Sequence, residues 1–350
     1  MKFRPTRLSA AVAAGALLGS VAPSIALGCA TCGCSLSSDA AMGYSSDTGW
    51  RLSVQYDYID QNQLRTGGDT IAEAQVAQIN NRGGSQEVER RTINRYTTLG
   101  LSYTATADWN FRIQVPYIDR SHTTFGSSGN PLTPNDISGS TVSGPGDIRF
   151  ITSYQGLLQT HNLGFQLGVK LPTGAYGGGP TAANGTVGRN FTTFNSGPNA
   201  GLPVDTSLQP GTGSTDLIAG AYYYQPVSQD FDAFVNGQLQ AAVMERLNQP
   251  GADYRPGNAA TISFGLRYEA DPSLVPQVQV NITRKSPDQG FLADTSDTAG
   301  TVAYLSPGVT ARAASNLYVY GFVQLPFYSK LAGYQLFPRW TASVGASYSF

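Results

Sequence analysis

The last eleven residues of the chain, W-T-A-S-V-G-A-S-Y-S-F from Trp340 to Phe350, decide the fold. Apolar side chains occupy the even positions, and small or polar side chains occupy the odd positions from Thr341 to Ser349. A period of two places alternate side chains on opposite faces of a strand, so this stretch predicts a β-strand with one apolar face. The strand stops on that apolar face with an aromatic side chain.

This ending indicates insertion into a membrane. A soluble β-sandwich rarely stops in mid-strand on an exposed phenylalanine, whereas a terminal strand of this kind resembles the insertion signal of outer-membrane β-barrels. We therefore expect Tyr348 and Phe350 to form the signal that the barrel assembly machinery reads. Earlier strands should repeat the alternation, with aromatic side chains at the ends of the apolar face.

The composition fits a barrel and gives no sign of a membrane helix. Only 13% of the residues are charged, about half the share usual in soluble globular proteins. No run of eighteen apolar residues follows the first segment, so no membrane-spanning helix is predicted. Strands of a barrel carry apolar residues only at alternate positions, which explains both observations. The formal net charge of −1 suggests no nucleic-acid partner.

Residues 1–28 have the pattern of a secretory signal peptide. Lys2, Arg4 and Arg7 form its basic start, and an apolar region covers residues 8–18. Small residues at Ala26 and Gly28 match the two positions that a signal peptidase reads. Removal of this leader would make the net charge more negative by three.

All three cysteines, Cys29, Cys32 and Cys34, lie in the predicted periplasmic linker of residues 29–49. Four interpretations stay open. They are a small loop disulfide in an oxidising periplasm, a thiolate site for a soft metal such as Cu(I) or Zn, lipid attachment at Cys29, and haem attachment. Haem attachment is disfavoured because Gly33, and not His, follows the second cysteine.

The alternation of the last strand recurs about twelve times between residues 50 and 350. The predicted strands are near 50–58, 99–103, 109–117, 147–155, 163–171, 216–224, 231–243, 261–270, 277–285, 301–312, 317–325 and 340–350. Short turns alternate with long polar links, which are predicted over 61–91, 122–146, 172–214, 246–257, 286–300 and 328–339. A β-sandwich does not require every second link to be long. The pattern therefore predicts an all-β, antiparallel, up-and-down transmembrane barrel with short periplasmic turns and long external links.

The inward positions of the predicted strands are polar and carry both charge signs. They are Arg51, Gln55, Asp57, Asn110, Arg112, Gln114, Arg149, Gln166, Lys170, Asp216, Arg267, Glu269, Gln277, Gln279 and Asn281. Such a lumen is wet and suits the passage of solutes. Pairing of these charges across the lumen, which would hold the shape of the barrel, is a compatible alternative.

An outer-membrane lipid enzyme is the other class of function that the sequence raises. Such an enzyme would need a histidine beside a nucleophilic serine, and the chain has only His122 and His161. His161 lies in a predicted periplasmic turn, and His122 lies just beyond the predicted end of a strand. No G-x-S-x-G motif accompanies either of them, so we interpret both as solvated loop residues and expect no enzymatic activity.

Five segments resemble the family of outer-membrane proteins assigned to a MetA pathway of phenol degradation. They are Gly144–Phe150 (GPGDIRF), Leu167–Gly174 (LGVKLPTG), Gly211–Leu217 (GTGSTDL), Tyr304–Val309 (YLSPGV) and the stretch from Gln324 to Leu336. The resemblance implies an outer-membrane barrel that conducts small, often hydrophobic, compounds.

We therefore expect a channel or transporter for small solutes, including hydrophobic or aromatic ones, in the outer membrane of a Gram-negative bacterium. It should contact outer-membrane lipid and work without a resident cofactor, unless the cysteines hold a soft metal. The alternative is a barrel that docks or sheathes a periplasmic metal-binding or redox partner through Cys29, Cys32 and Cys34.

Overall fold

The computed structural model describes residues 48–83, 87–126 and 129–350, and it has the predicted all-β architecture. The predicted leader and the cysteine segment lie outside these residues. The described strands and helix, in chain order, are β1 (Gly49–Gly67), β2 (Asp69–Thr70), α1 (Glu73–Asn80), β3 (Val88–Thr104), β4 (Trp109–Phe125), β5 (Ile137–Pro145), β6 (Ile148–Tyr154), β7 (Leu163–Leu171), β8 (Tyr176–Gly178), β9 (Val187–Arg189), β10 (Ser214–Pro226), β11 (Phe231–Glu245), β12 (Ala259–Tyr268), β13 (Leu274–Lys285), β14 (Gly300–Ala314) and β15 (Leu317–Ser349).

The wall is a closed antiparallel barrel. Wall strands that follow each other in the chain pair side by side, and β15 also pairs with β1. At this seam the amide of Trp50 donates to the carbonyl of Phe350, and the amide of Phe350 donates to the carbonyl of Trp50. Closure matters because a lipid environment offers no hydrogen-bond partner to an open sheet edge. Accessory strands β2 and β5 extend the wall at its outer end.

The last strand, β15, crosses the wall twice. Residues 317–331 pair with β14, whereas residues 331–349 pair with β1. The chain reverses at Gly333, whose φ of 54° lies in the left-handed region that glycine adopts readily. The wall therefore has twelve crossings, as the sequence predicts. The predicted long link over 328–339 is wrong, because these residues continue the two halves of β15 up to the tight turn.

Two other predicted links are too long. The link over 61–91 begins inside β1, which continues to Gly67. The link over 122–146 contains the end of β4, which continues to Phe125, and all of β5, which pairs with it. Both extensions carry polar side chains on each face. Hydrophobic periodicity cannot distinguish such a strand from a polar loop.

The outward face carries an apolar band that suits contact with lipid. On β1, Trp50, Leu52 and Val54 point outward and are 39–50% exposed. Aromatic pairs mark the rim at the short turns, with ring centroids 4.6 Å apart for Trp50 and Tyr103. Similar pairs there are Trp109 with Tyr154 and Phe231 with Tyr268. An apolar band bordered by aromatic rings is the outer surface expected of a transmembrane barrel.

The opposite rim carries the long links and a small apolar core. Helix α1 begins where the side chain of Gln75 accepts a hydrogen bond from the amide of Ala72. One face of the helix packs on the extended ends of the wall, in a cluster of Leu64, Val76, Ala77, Val88 and Leu336. In the part of the chain that the structure describes, no helix is both long enough and apolar enough to cross a bilayer.

The alternation of short turns and long links predicts that the long links face the outside of the cell. An epitope inserted after Thr295, an exposed residue of the link 286–299, should bind antibody on intact cells. The same epitope inserted after Gln229, in the turn 227–230, should bind only after the outer membrane is permeabilised. The reverse labelling pattern would show that the barrel has the opposite orientation.

Candidate functional site

The lumen is the candidate site, and its half nearest the short turns is open to water. Inward side chains on β1 and β4, among them Arg51, Arg112 and Gln114, keep partial exposure although they face the inside of the barrel. Gln55 lies beside them and links two neighbouring groups. Its amide nitrogen donates to both carboxylate oxygens of Asp57 at 2.9 and 3.0 Å, and its oxygen accepts from the Tyr320 hydroxyl at 2.6 Å.

The other predicted inward residues divide into two groups by exposure. Partly exposed to the lumen are Asn110, Arg149, Arg267 and Glu269. Almost fully buried are Asp57, Gln166, Lys170, Asp216, Gln277, Gln279 and Asn281. Glu269 lies one residue beyond the end of β12, where it pairs with Arg267 at 3.0 Å. The partly exposed inward side chains therefore lie mainly on β1, β4 and β6, whereas packed polar side chains fill the sides formed by β7, β10 and β13.

The outer half of the lumen is covered by the link of residues 172–213, which we term the lumen link. Arg120 points inward from β4 and is only 5% exposed. Its guanidinium donates to the side-chain oxygen of Asn94 and to the backbone carbonyl of Leu208, which belongs to the lumen link. Since Arg120 faces the inside of the barrel, the link that it binds lies inside the barrel as well.

His122 is the next inward residue on β4, and its predicted position in a solvated loop is wrong. Its side chain is 2% exposed and hydrogen-bonds through Nδ1 to the Thr92 hydroxyl at 2.8 Å. Its ring lies 6.2 Å from that of Phe194 in the lumen link, and Nε2 lies 3.9 Å from Glu87. The sequence placed it outside because the polar outer part of β4 was not recognised as a strand.

The lumen link is a folded unit with its own contacts. Phe194, Val204 and Leu208 form a small apolar cluster. Gln209 holds the link together, because its amide nitrogen donates to the carbonyls of Val204 and Thr192 and its oxygen accepts from the Thr192 amide. Within the link, β8 pairs with β9.

Lys170 lies at the centre of a buried ionic cluster where the lumen link joins the wall. Its ammonium group lies 2.9 Å from Asp216 and 3.2 Å from Asp147. Asp147 also accepts hydrogen bonds from the amides of Gly174 and Thr212. Asp147 therefore binds both ends of the link, and the cluster fixes these ends to the wall.

Three of the segments that carry the family resemblance meet at this cluster: Gly144–Phe150, Leu167–Gly174 and Gly211–Leu217. Their glycines allow close backbone contact. A Cβ on Gly174 would lie 2.9 Å from the backbone of Gly211, which is closer than real Cβ contacts allow. The sequence contained the signal, a glycine next to Asp or Thr in each segment, but it did not show that the segments converge.

A group of carboxylates from three links meets at the outer mouth. Glu87, Asp205, Asp294 and Asp297 belong to it, and the sequence analysis singled out none of them. The negative charge of Glu87 raises the pKa of Asp205 well above its usual value. Burial would raise the pKa of Glu87, but the interaction with His122, whose Nε2 is 3.9 Å away, lowers it.

Asp297 is the member of this group that titrates near neutral pH. Burial and the negative charge of Asp294 raise its pKa to about 7. Its Oδ1 accepts a hydrogen bond from the amide of Tyr334 at 2.7 Å, which ties the link 286–299 to the tight turn of β15. The outer cover of the lumen is thus held partly by a carboxyl whose charge changes within the physiological pH range.

No three His, Cys, Asp or Glu side chains within residues 48–83, 87–126 and 129–350 are arranged to hold a metal ion. The predicted soft-metal ligands Cys29, Cys32 and Cys34 lie outside these ranges. The residues of the predicted assembly signal lie beside the seam. The rings of Tyr348 and Phe350 stack there on the outward face, with their centroids 6.1 Å apart. That contact places two aromatic rings at the rim of the short turns.

A closed barrel with a lipid-facing apolar band and a polar lumen is the architecture of porin-like outer-membrane channels, and this chain has that fold. No family model matches the chain, and no curated protein matches it in sequence. The assignment to the family named for a MetA pathway therefore stays a prediction.

A solved structure supports the fold. The chain is similar to an outer membrane channel from Pseudomonas putida F1, with a TM-score of 0.58 and 12% identity over 87% of this chain and 96% of that one. The translocator domain of the autotransporter NalP from Neisseria meningitidis gives a TM-score of 0.46 at 9% identity, over 89% and 92% of the two chains. The CymD monoaromatic hydrocarbon channel gives 0.41 at 11%, over 90% and 94%. The similarity to the channel from Pseudomonas putida F1 shows a shared fold only.

Proposed function

We propose that this protein is an outer-membrane channel or transporter for small solutes, including hydrophobic or aromatic ones, and that it catalyses no reaction. The observation that carries the proposal is the closed barrel with inward polar side chains, such as Arg112, Gln114 and Arg149, that keep contact with water. The similarity to a channel from Pseudomonas putida F1 supports it at the level of the fold.

The route through the barrel is defined by which inward side chains are exposed. In the half nearest the short turns, water contacts the walls formed by β1, β4 and β6. In the outer half the lumen link covers the same walls through Arg120 and Phe194. A solute therefore passes only when the lumen link is displaced, and the channel should conduct weakly until that happens.

The absence of catalysis is supported by the positions of the two histidines. His122 is enclosed by Thr92, Glu87 and Phe194 inside the barrel, away from the outer membrane surface. His161 lies in the turn before β7, with Nδ1 3.2 Å from Asp108. Neither is placed as the base of an enzyme that acts on lipid.

Replacing Arg120 with alanine should increase conductance, because the substitution removes the bond that holds Leu208 of the lumen link. We expect single-channel currents in planar bilayers to rise severalfold in R120A relative to the unmodified protein. Arg95→Ala is the matched control, since Arg95 is partly exposed and pairs with Asp119 at 3.5 Å. Swelling of loaded vesicles with sugars, organic acids and aromatic alcohols would then rank the solutes.

The outcome is judged only for protein that is folded, as shown by heat-modifiable mobility in gels. Discrete current steps from the unmodified protein, enlarged in R120A and unchanged in R95A, support the channel. If both the unmodified protein and R120A insert as folded barrels and neither passes current nor any solute of the panel, the proposed function is wrong.

A further inference from the structure

The outward face of β13 to β15 changes from apolar to cationic at its outer end. On β13 the outward side chains Val278, Val280 and Ile282 are followed by Arg284, which is exposed. On the first half of β15, Leu325 and Phe327 are followed by exposed Lys330. The change marks the place where the lipid tails end and the polar headgroup region begins.

Three exposed cations, Arg284, Lys330 and Arg339, lie on the outer parts of β13 and β15, and we term them the outer cationic stripe. Arg284 pairs with Thr301 in register, and Thr301 pairs with Lys330, so the two cations are separated by two strand spacings, about 10 Å. Arg339 lies on the returning half of β15, next to Trp340. The three cations therefore share one side of the barrel.

The aromatic rings just below the stripe fix its depth in the membrane. The Trp340 ring is 46% exposed and lies 5.8 Å from the Tyr58 ring. Phe327, on the neighbouring half of β15, is 62% exposed. Tryptophan and tyrosine prefer the boundary between lipid tails and headgroups, so the cations beyond them lie at the depth of headgroup phosphates.

The stripe differs from two outward cations of β3, which have ion-pair partners. On the neighbouring strands Arg91 pairs with Asp60 at 2.8 Å, and Arg95 pairs with Asp119. Within the described residues, none of the three stripe cations forms an ion pair. Three unneutralised cations facing a membrane attract a ligand of negative charge.

The opposite side of the barrel presents a different surface at the corresponding level. The outer end of β7 shows Leu171, and the outer part of β10 shows Leu217, which is 56% exposed. The stripe is therefore a local feature of β13 to β15. If every part of the outer membrane boundary required cations, similar side chains would be expected on β7 and β10 as well.

We propose that the outer cationic stripe binds the phosphate groups of the phosphorylated glycolipid in the outer leaflet. Guanidinium and ammonium groups form charge-assisted hydrogen bonds with phosphate oxygens. The acyl chains of the same lipid lie against the apolar outward residues of β13 and β15, such as Val280 and Leu325. This site is on the outside of the wall and is independent of solute passage through the lumen.

The test compares the triple variant R284A/K330A/R339A with R312A. Arg312 is exposed at the other rim of the barrel, near the end of β14, and so provides a matched loss of an outward cation. Purified protein is incubated with bisphosphorylated lipid A, dephosphorylated lipid A or phosphatidylglycerol, and bound lipid is counted by native mass spectrometry. Each cation near a charged membrane surface contributes enough to change binding about fivefold, so three together should change it about a hundredfold.

The proposal requires that bisphosphorylated lipid A binds the unmodified protein and R312A alike and is lost from the triple variant. It also requires weak binding of the dephosphorylated form. Equal retention by the triple variant, equal retention of dephosphorylated lipid A, or a preference for phosphatidylglycerol would each overturn it. If the triple variant folds poorly, the three single variants should each show part of the loss, and no loss in any of them overturns the proposal as well.

Discussion

Replacing Lys170 with methionine is expected to lower the free energy of unfolding of the barrel by about 3–5 kcal/mol, the usual effect of removing one partner from a buried ionic group. Lys170 is only 3% exposed, and its ammonium group lies between Asp147 and Asp216. Methionine fills similar space but leaves two neighbouring carboxylates without a cation. Urea unfolding of the refolded barrel, followed by tryptophan fluorescence, measures the change.

Two further variants show whether the charge is responsible. Lys330→Met removes an exposed lysine and should change stability by about 0.5 kcal/mol or less. The double variant K170M/D216N should recover part of the loss, because Asp147 alone keeps hydrogen bonds from the Gly174 amide, the Thr212 amide and the Thr212 hydroxyl. Equal stability of K170M and K330M would show that the cluster does not hold the lumen link to the wall.

The second large effect concerns pH. Channels of the unmodified protein should spend more time in conducting states as the pH rises from 5 to 8. The pKa of Asp297 is raised from its ordinary 3.8 to about 7, so its stabilising contribution is fully present below pH 3.8 and is lost as the pH rises through about 7. Above that pH, ionised Asp297 repels Asp294 and Glu87, which weakens the outer cover.

Asp297→Asn should remove most of this response, because asparagine cannot ionise but can still accept the hydrogen bond from the Tyr334 amide. Single-channel recordings at pH 5 and pH 8 compare the two proteins. Asp69→Asn is the control, since Asp69 is an exposed carboxylate at the same mouth. Asp205 interacts with Asp297 and with Glu87, which His122 contacts. D205N should therefore weaken the pH response too. An unchanged pH response in D297N would contradict this assignment.

The strands of the wall could be predicted from the sequence wherever one face of a strand is apolar. Trp50 to Tyr58 and Trp340 to Phe350 are examples, because lipid contact forces apolar side chains onto alternate positions. The outer extensions of β1 and β4 were not predicted as strands, because both of their faces contact water or polar links. In such a strand the pairing is determined by backbone hydrogen bonds and neighbouring links, and neither leaves a hydrophobic period.

The contacts within the candidate site were harder to predict from the sequence. Lys170 and Asp216 could each be placed in the lumen by alternation, but their contact depends on strand register, which sets them directly opposite each other. Asp147 lies in the break between β5 and β6, where no alternation exists. Glu87 and Asp205 lie in links. The two carboxylates come close together only because residues 172–213 fold into the barrel.

The double crossing of β15 also bears on the order of folding events. Every other contact between wall strands joins sequence neighbours, whereas the seam joins the two ends of the barrel, with Arg51 opposite Ser349. The entropic cost of closing a loop rises with its length, and contacts between distant segments form slowly. We therefore expect the seam to form last, after the halves of β15 have already paired as a hairpin. Until then β1 and residues 331–349 are free edges, and a chain stalled at that stage would expose them to strands of other molecules.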